Sequence, residues 1–365
     1  MLSGLNLLLL STSVGPLGSG LGGGVELTLH NIAKALTQRG HRITIVAPAT
    51  SVSLFPLIEI PGDWQTTAQS EGRSAPIVMS KNSVLAGMWE HAHNVQESYD
   101  LLLNFAYDWL PFYLTPFFRR PIAHLVSMGS LTDAMDRIIA RVAEQFPHTI
   151  AVHSRAQAAT FPFADRCRVL GNGFNLSLYQ FNPQPQRQLG WVGRIAPEKG
   201  LEDAVAAAQQ TGIPLRVWGV LQDEAYWQQV RQAYLNAPVT YEGFLPTGEL
   251  QQALGMCQGL VMTPRWVEAF GNVAIEALAC GVPVIAYRRG GPAEIVRDGE
   301  TGWLVEPDSV EGLVAAIARL DELDRRACRQ QAEQDYSLEA MSDRLEQWFT
   351  DCLTLHQPIK TQPIK

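Results

Sequence analysis

Two glutamates, Glu268 and Glu276, lie eight positions apart in the segment of this chain that is richest in chemical signals. Phe270-Gly271-Asn272, a typical entry from a loop into a helix, lies between them and is followed by Val273. A helix that starts near Gly271 would carry Glu276 on its second turn and leave Glu268 in the loop before it, because one turn takes about 3.6 residues. The N–H groups at such a helix start favour negative charge. The segment could therefore hold a sugar through carboxylates and a phosphate through backbone donors; the alternative is an ordinary βα unit with two solvated glutamates.

Two cations lie close together in a second segment. Gly193-Arg194 follows a predicted strand over residues 188–192, and Lys199 comes five positions after the arginine. Arginine offers phosphate a planar fork of donors, and lysine offers a compact point charge. Cations at the carboxyl end of a parallel strand, where such sheets bind ligands, could neutralise a diphosphate leaving group. The alternative is a charged turn in solvent.

The first glycine-rich loop, residues 15–26, joins a predicted strand over residues 5–10 to a predicted helix over residues 25–38. Glycine lets the backbone approach a ligand closely, and amides at the helix start could contact a phosphate. Three glycines partly fit the dinucleotide fingerprint, namely Gly18, Gly20 and Gly23. The next predicted strand, however, ends without the carboxylate that dinucleotide-binding enzymes place on the ribose. This argues against a nicotinamide cofactor.

Composition excludes several classes of protein. The chain has 365 residues, of which 46% are hydrophobic and 18% charged, enough for two globular domains. A net charge of −8 argues against a nucleic-acid partner. The five cysteines are scattered and form no C-x-x-C pair, which argues for a reducing compartment and against a disulfide framework or a zinc site.

Apolar runs are short throughout the chain. The run over residues 5–10 lacks the basic flank of a signal peptide, and no run approaches the ~20 apolar residues that a membrane-spanning helix needs. We therefore expect a cytoplasmic protein that is not an integral membrane protein. The sequence leaves its oligomeric state open.

Predicted strands and helices alternate along the chain, and the alternation restarts after a proline-rich break at residues 182–188. This βαβ rhythm predicts α/β domains with parallel sheets covered by helices on both faces. We expect two doubly wound, Rossmann-like domains that face each other across a cleft. The expected divisions are a first domain over residues 1–174, a linker over 175–187, a second domain over 188–337, a helix over 338–356 that packs back on the first domain, and a disordered tail over 357–365.

Taken together, these motifs resemble those of family 4 of the retaining sugar-nucleotide glycosyltransferases, which have the GT-B architecture. Glu268–Glu276 matches that family's paired-glutamate motif, and Gly193–Gly200 matches its diphosphate-binding segment. Gly22-Gly23-Gly24 looks like the start of its first helix, and Asn172-Gly173 looks like its inter-domain segment. The resemblance covers nearly the whole chain and is most specific from Gly193 to Val305.

The resemblance implies a role for each matched residue. Arg194 and Lys199 would hold the diphosphate and stabilise the charge that grows as it leaves. Glu276 would hold the ribose hydroxyls, and Glu268 would position the transferred sugar. Further donor contacts are implied for glycines of both phosphate-binding segments, the loop beside the base and the start of the Glu276 helix: Gly22, Gly23, Gly24, Gly193, Leu245, Phe270, Gly271, Asn272 and Val273.

The implied reaction moves a hexose, by default glucose from UDP-glucose, to an acceptor hydroxyl with retention of anomeric configuration. No D-x-D pair occurs in the chain, so the sequence requires neither a metal nor another cofactor. The acceptor would be a small molecule read by the first domain. The chain as a whole also resembles enzymes that glucosylate tetrahydrobiopterin, although no single motif supports this. The alternatives are a peripheral membrane enzyme that makes a glycolipid and a GT-B-like epimerase or hydrolase of sugar nucleotides.

Two positions depart from the family's pattern. Pro264 is followed by Arg265-Trp266 where the family usually has a small hydroxyl residue, which alters the expected wall beside the sugar. The family usually has a histidine at the end of a strand in the first domain, facing the sugar. Here His124 would be the catalytic residue, but Ser127 could hold the strand-end position instead, and His124 could equally be a core histidine. Ser154 is interpreted as a helix cap and not as a nucleophile.

Overall fold

The computed structural model of the chain describes residues 4–66 and 72–355. These residues divide into two compact units. The first unit comprises the described residues up to Gly173 together with those from Leu338 onward, and the second comprises Phe174–Ser337. The tail predicted over residues 357–365 lies outside the described residues. No helix within the described part of the chain is long and apolar enough to cross a membrane.

The first unit is built on a seven-stranded parallel sheet with the order β3-β2-β1-β4-β5-β6-β7. Strand β1, in the interior of the sheet, ends in the four buried leucines Leu7–Leu10, as expected for a parallel sheet covered on both faces. The strands are β1 (Asn6–Leu10), β2 (Arg42–Pro48), β3 (Leu57–Ile60), β4 (Leu101–Asn104), β5 (Ile122–Leu125), β6 (Ile150–Val152) and β7 (Arg168–Val169).

Five helices follow strands or loops of this sheet before the second unit begins: α1 (Gly24–Gln38), α2 (Val84–Val95), α3 (Trp109–Leu114), α4 (Asp133–Gln145) and α5 (Arg155–Ala158). Side-chain caps set where four of them start, including α4 and α5. Thr132 accepts the N–H of Met135 at the start of α4, at 3.3 Å, and Ser154 accepts the N–H of Gln157 at the start of α5, at 3.0 Å. The prediction that Ser154 is a helix cap is therefore confirmed.

The second unit has a six-stranded parallel sheet with the order β10-β9-β8-β11-β12-β13. Its strands are β8 (Leu189–Val192), β9 (Leu215–Trp218), β10 (Val239–Gly243), β11 (Gly259–Met262), β12 (Val284–Tyr287) and β13 (Gly302–Val305). Its helices are α6 (Leu201–Thr211), α7 (Glu224–Ala233), α8 (Thr247–Gly255), α9 (Asn272–Ala279), α10 (Pro292–Ile295), α11 (Val310–Ile317) and α12 (Arg325–Asp335).

The last described helix, α13 (Leu338–Leu355), belongs to the first unit. Its side chains Trp348 and Phe349 are fully buried in the core cluster that β1 and α1 also line. Polar contacts reinforce this packing, since Arg39 Nη2 lies 2.6 Å from Asp343 Oδ1. The apolar face of α13 therefore completes the core of a unit whose other elements come about 160 residues or more earlier in the chain.

Candidate functional site

The loops that carry the cations and the first glutamate of the sequence motifs lie side by side because β8 and β11 are neighbours in the second sheet. Arg194 lies just beyond the carboxyl end of β8, and the loop that carries Glu268 follows β11. Parallel strands end at one edge of the sheet, which is the edge where α/β proteins bind ligands. The sheet order thus gathers the predicted diphosphate and sugar residues at one edge of the second unit.

Glycine is required where these loops pass each other. Gly200 has φ +62°, and a Cβ at this position would come 2.1 Å from the carbonyl oxygen of Thr263. Gly219 has φ +138°, and a Cβ there would come 1.9 Å from the carbonyl oxygen of Gly193. A side chain at either position would push apart the strand ends that carry the cations.

Lys199, Glu268 and Trp266 form a contact group. The ammonium of Lys199 pairs with Glu268 Oε2, and the indole N–H of Trp266 donates to the same oxygen at 3.1 Å. The lysine nitrogen also lies 5.1 Å from the centre of the Trp266 ring, a cation–π distance. Both charged side chains are about four-fifths buried, with 18% and 19% of their surface exposed. The group holds one positive and one negative charge in a fixed arrangement beside the ligand edge.

Arg194 is held by two polar side chains of the same unit. Its Nη1 donates to Gln222 Oε1 at 2.5 Å, and its Nη2 lies 3.1 Å from Glu198 Oε1. Glu198 belongs to the short 3₁₀ turn Pro197–Lys199 that leads into α6. A single turn therefore carries both the lysine and the carboxylate that pairs with the arginine.

Glu276 is buried within α9, which begins at Asn272 after Gly271. Gly271 has φ +100° and supplies no side-chain cap to the helix. The hydroxyl of Tyr179 donates to Glu276 Oε1 at 3.0 Å. Burial raises the carboxyl pKa of Glu276 to about 7, and the hydrogen bond from Tyr179 lowers it in part. Burial and the neighbouring carboxylate likewise raise the pKa of Tyr179, so its hydroxyl stays protonated and acts as the donor.

Gly290-Gly291 sets the path of the Glu268 loop. A Cβ at Gly290 would lie 2.6 Å from the backbone nitrogen and oxygen of Glu268, and one at Gly291 would lie 2.2 Å from the carbonyl oxygen of Phe270. The N–H of Gly291 donates to the carbonyl oxygen of Glu268 at 2.7 Å. The two glycines that follow β12 thus allow the loop after β11 to pack directly on their backbone.

The remaining predicted donor contacts of the second unit flank this group. Phe270 is buried and its ring lies 6.1 Å from the ring of Tyr336. Asn272 and Val273 form the half-buried first turn of α9. Leu245 is half-buried in the loop after the edge strand β10, and Gly193 lies directly before Arg194.

Glycines 22–24 lie in the first unit, at the start of α1, and Gly23 is its N-cap with φ +55°. The amides of this loop are engaged by the chain itself. Glu26 Oε2 accepts the N–H of Gly18 at 2.8 Å and of Gly20 at 3.3 Å, and Glu26 Oε1 accepts the N–H of Gly22 at 2.6 Å. The loop is therefore shaped to hold a carboxylate, and an anion that bound these amides would have to displace Glu26.

The surroundings of His124 are those of a core histidine, which was the alternative to its assignment as a catalytic residue. Its side chain is fully buried in β5, with Nδ1 3.1 Å from Asn104 Nδ2 and Nε2 2.9 Å from Thr115 Oγ1. Its ring also stacks on Phe112 with 4.3 Å between ring centres. Burial lowers its pKa to about 3, so it remains neutral, and both ring nitrogens are used inside the core. Ser127 is half-buried and lies beyond the end of β5.

Arg265 and Trp266, where the sequence departs from the family's pattern, have different surroundings. Arg265 binds Glu202 Oε1 at 2.7 Å and Asp203 Oδ1 at 2.9 Å, so its charge is used by α6. Trp266 contacts the lysine–glutamate pair. The sequence reasoning missed Trp266 as a partner of Glu268 and Tyr179 as a partner of Glu276. An indole two residues before the glutamate was a usable signal, whereas nothing in the spacing pointed to the tyrosine.

Comparison with protein families characterises the second unit. Residues 180–335 match the family of group 1 glycosyl transferases. A segment of 177 residues is 35% identical to D-inositol 3-phosphate glycosyltransferase of Rhodococcus erythropolis and covers 42% of this chain and 39% of that protein. A segment of 200 residues is 30% identical to glycogen synthase of Mycobacterium tuberculosis and covers 50% and 47% of the two chains. The chain thus matches less than half the length of these curated relatives.

Solved structures match over nearly the whole chain. HepE of Anabaena, in complex with UDP and glucose, is 21% identical and aligns over 95% of this chain and 100% of its own, with a TM-score of 0.74. Sucrose-phosphate synthase of Thermosynechococcus elongatus is 20% identical and aligns over 96% and 100%, with a TM-score of 0.76. The predicted GT-B class with two Rossmann-like α/β domains is therefore confirmed.

Proposed function

We propose that this protein is a cytoplasmic, metal-independent glycosyltransferase that moves a hexose, by default glucose from UDP-glucose, to a hydroxyl of a small acceptor with retention. The observation that carries the proposal is the gathering of Arg194, Lys199 and Glu268 at the carboxyl ends of neighbouring strands, within a unit that matches group 1 glycosyl transferases. A pterin is one candidate acceptor, on the resemblance stated above.

Each donor residue has a role that fits its surroundings. Arg194 and Lys199 bind the diphosphate and stabilise the negative charge that develops on it as the anomeric bond breaks. In the structure both cations pair with carboxylates, Arg194 with Glu198 and Lys199 with Glu268. The diphosphate would compete with these carboxylates for the cations, which frees Glu268 to accept hydrogen bonds from hydroxyls of the sugar. Buried Glu276 accepts hydrogen bonds from the ribose hydroxyls.

The proposed reaction needs no nucleophile from the protein. The oxygen of the acceptor hydroxyl forms a bond to the anomeric carbon as the bond from that carbon to the diphosphate breaks. The acceptor proton passes to a phosphate oxygen of the leaving group on the same face of the sugar, so configuration is retained. The protein contributes fixed cations and dipoles around the leaving group.

Transfer assays with UDP-glucose and other nucleotide sugars, against a panel of hydroxyl-bearing acceptors that includes a pterin, test the proposal. Anomeric configuration of the product is read by NMR coupling constants. Donor hydrolysis or isomerisation without transfer to any acceptor would favour an epimerase or hydrolase instead. Inversion of the anomeric centre would exclude the retaining mechanism.

Calorimetric titration with UDP separates the roles of the two glutamates. UDP contains the ribose but not the transferred hexose, so its affinity should fall in Glu276→Ala. It should not fall in Glu268→Ala, which removes the carboxylate that competes with the diphosphate for Lys199. In transfer assays Glu268→Ala should chiefly lower kcat, because its contacts strengthen as charge builds at the anomeric carbon. Glu249→Ala, at an exposed position on α8, is the matched control. If UDP affinity fell in Glu268→Ala and not in Glu276→Ala, the roles assigned to the two glutamates would have to be exchanged.

A further inference from the structure

A groove on the first unit lies beside α3 and α4. It is bounded by the segment of residues 74–77, by Trp109 at the start of α3, and by the face of α4 that carries Arg137, Ile138 and Arg141. Helices α3 and α4 follow β4 and β5, which are adjacent in the sheet. The groove encloses a volume of about 550 Å³, within the ~300–1,000 Å³ range of small-molecule sites.

The outer wall of the groove is fixed by an arginine clamp. Arg73 donates to Asp133 Oδ1 at 2.7 Å, to Asp136 Oδ2 at 2.6 Å and to Ser130 Oγ at 2.5 Å. The carbonyl oxygen of Arg73 accepts the N–H of Asp133 at 3.0 Å. These contacts tie the segment that contains Ile77 to the first turn of α4. They also use both carboxylates of that turn, so neither is left to neutralise the arginines that line the groove.

Arg137 and Arg141 lie one helical turn apart on α4, and both are exposed. Neither makes a hydrogen bond or an ion pair with any described residue of the chain. Like charges at this spacing repel each other and destabilise a helix. An anion placed between them would reverse that repulsion, and guanidinium forks suit phosphate and carboxylate oxygens.

The apolar residues that line the groove indicate that the same ligand also has an apolar or planar portion. Trp109 is stacked on Tyr113, with 4.5 Å between ring centres, which holds the indole in place. Ile77 is 44% exposed although it lines the groove, and Ile138 lies between the two arginines. Aromatic and aliphatic side chains of this kind cover a ring or a hydrocarbon segment.

We propose that this groove binds an organic anion, a phosphate or carboxylate attached to an apolar or planar body, as the recognised end of the acceptor. The acceptor role rests on the function proposed above, whereas anion binding does not. A membrane surface is disfavoured because lipid-binding patches typically gather about four to eight basic residues, and this groove has two. A neutral pterin would leave both guanidiniums without a partner, so phosphorylated or carboxylated acceptors should rank above it.

Calorimetric titration of the full chain with phenyl phosphate, without any donor, tests the site. We expect saturable one-to-one binding that Arg137→Gln and Arg141→Gln each weaken by roughly tenfold, as expected for loss of one charge-assisted contact. Ile77→Ser should weaken phenyl phosphate but leave inorganic phosphate unchanged, because it removes only apolar surface. Arg166→Gln, an exposed arginine of the same unit outside the groove, should have no effect.

Three outcomes would overturn the proposal. If phenyl phosphate bound the double variant with Arg137→Gln and Arg141→Gln as tightly as the unaltered protein, the groove would be excluded as its binding site. Equal affinity for inorganic and phenyl phosphate would exclude the apolar contact. Arginine-dependent binding to phosphatidylglycerol vesicles, without binding of phenyl phosphate, would make the face a lipid contact. UDP affinity, measured in parallel, should not change in the arginine variants. If the unaltered protein neither bound UDP nor transferred a sugar, the proposed function would be overturned instead.

Discussion

Replacing Glu276 by glutamine should stabilise the donor-free protein while it weakens nucleotide binding. Burial in α9 raises the carboxyl pKa of Glu276 from the ordinary 4.5 to about 7. The folded state therefore binds this proton more tightly than the unfolded chain does. The stability that the protonated group contributes is fully present below about pH 4.5 and is lost as the pH rises through about 7.

The magnitude follows from the two pKa values. A pKa that moves from 4.5 to about 7 corresponds to about 3 kcal/mol of unfolding free energy, at ~1.4 kcal/mol for each pKa unit. Glutamine keeps the shape of the side chain and can still accept the hydroxyl hydrogen of Tyr179, but it carries no charge for burial to penalise. We expect Glu276→Gln to gain about 3 kcal/mol at pH 8 and only about 1 kcal/mol at pH 5.5.

Urea unfolding followed by tryptophan fluorescence at both pH values measures this gain. Glu249→Gln, at the exposed position on α8, should show no comparable dependence on pH. Calorimetry with UDP should report weaker binding by the same Glu276→Gln protein, because the amide is a poorer acceptor for the ribose hydroxyls. A glutamine variant that is less stable at pH 8, or whose gain is equal at the two pH values, would refute the reasoning.

Three further predictions concern the donor site. Arg194→Ala and Lys199→Ala should each lower kcat roughly 100-fold or more without unfolding the protein, because each removes charge stabilisation of the leaving group; near-normal turnover in both, with unchanged thermal melting, would exclude the diphosphate assignment. Transfer in excess EDTA should equal the untreated rate, since two cations take the place of a metal; loss of activity that Mg²⁺ or Mn²⁺ restores would contradict this. Tyr179→Phe should raise the pKa of Glu276 further, because the hydrogen bond that lowers it is gone. UDP affinity near pH 7 should then fall and recover at higher pH, and an unchanged pH profile would show that the hydroxyl does not tune Glu276.

The periodicity of the chain determined most of the elements. Alternation of apolar runs and amphipathic stretches predicted two doubly wound domains, and the helix predicted over residues 25–38 is observed as α1 over Gly24–Gln38. The short edge strands β3 and β7 were not predicted, because strands of four and two residues that are only half-buried or exposed carry little apolar pattern. Spacing also placed Glu276 within its helix and Glu268 before it, because both positions follow from where a glycine starts that helix.

Tertiary structure decided which side chains meet. Sheet order brings the loops after β8 and β11 together, and that order depends on how separate βα units pack, which no local pattern encodes. The same limit explains why the sequence left the role of His124 open, because its partners Asn104 and Thr115 come from other elements. It also explains Tyr179, which reaches Glu276 from a segment 97 positions away that the sequence marked only as a linker. The sequence by itself determined which residues are proposed to hold a nucleotide sugar, and long-range packing determined their partners and burial.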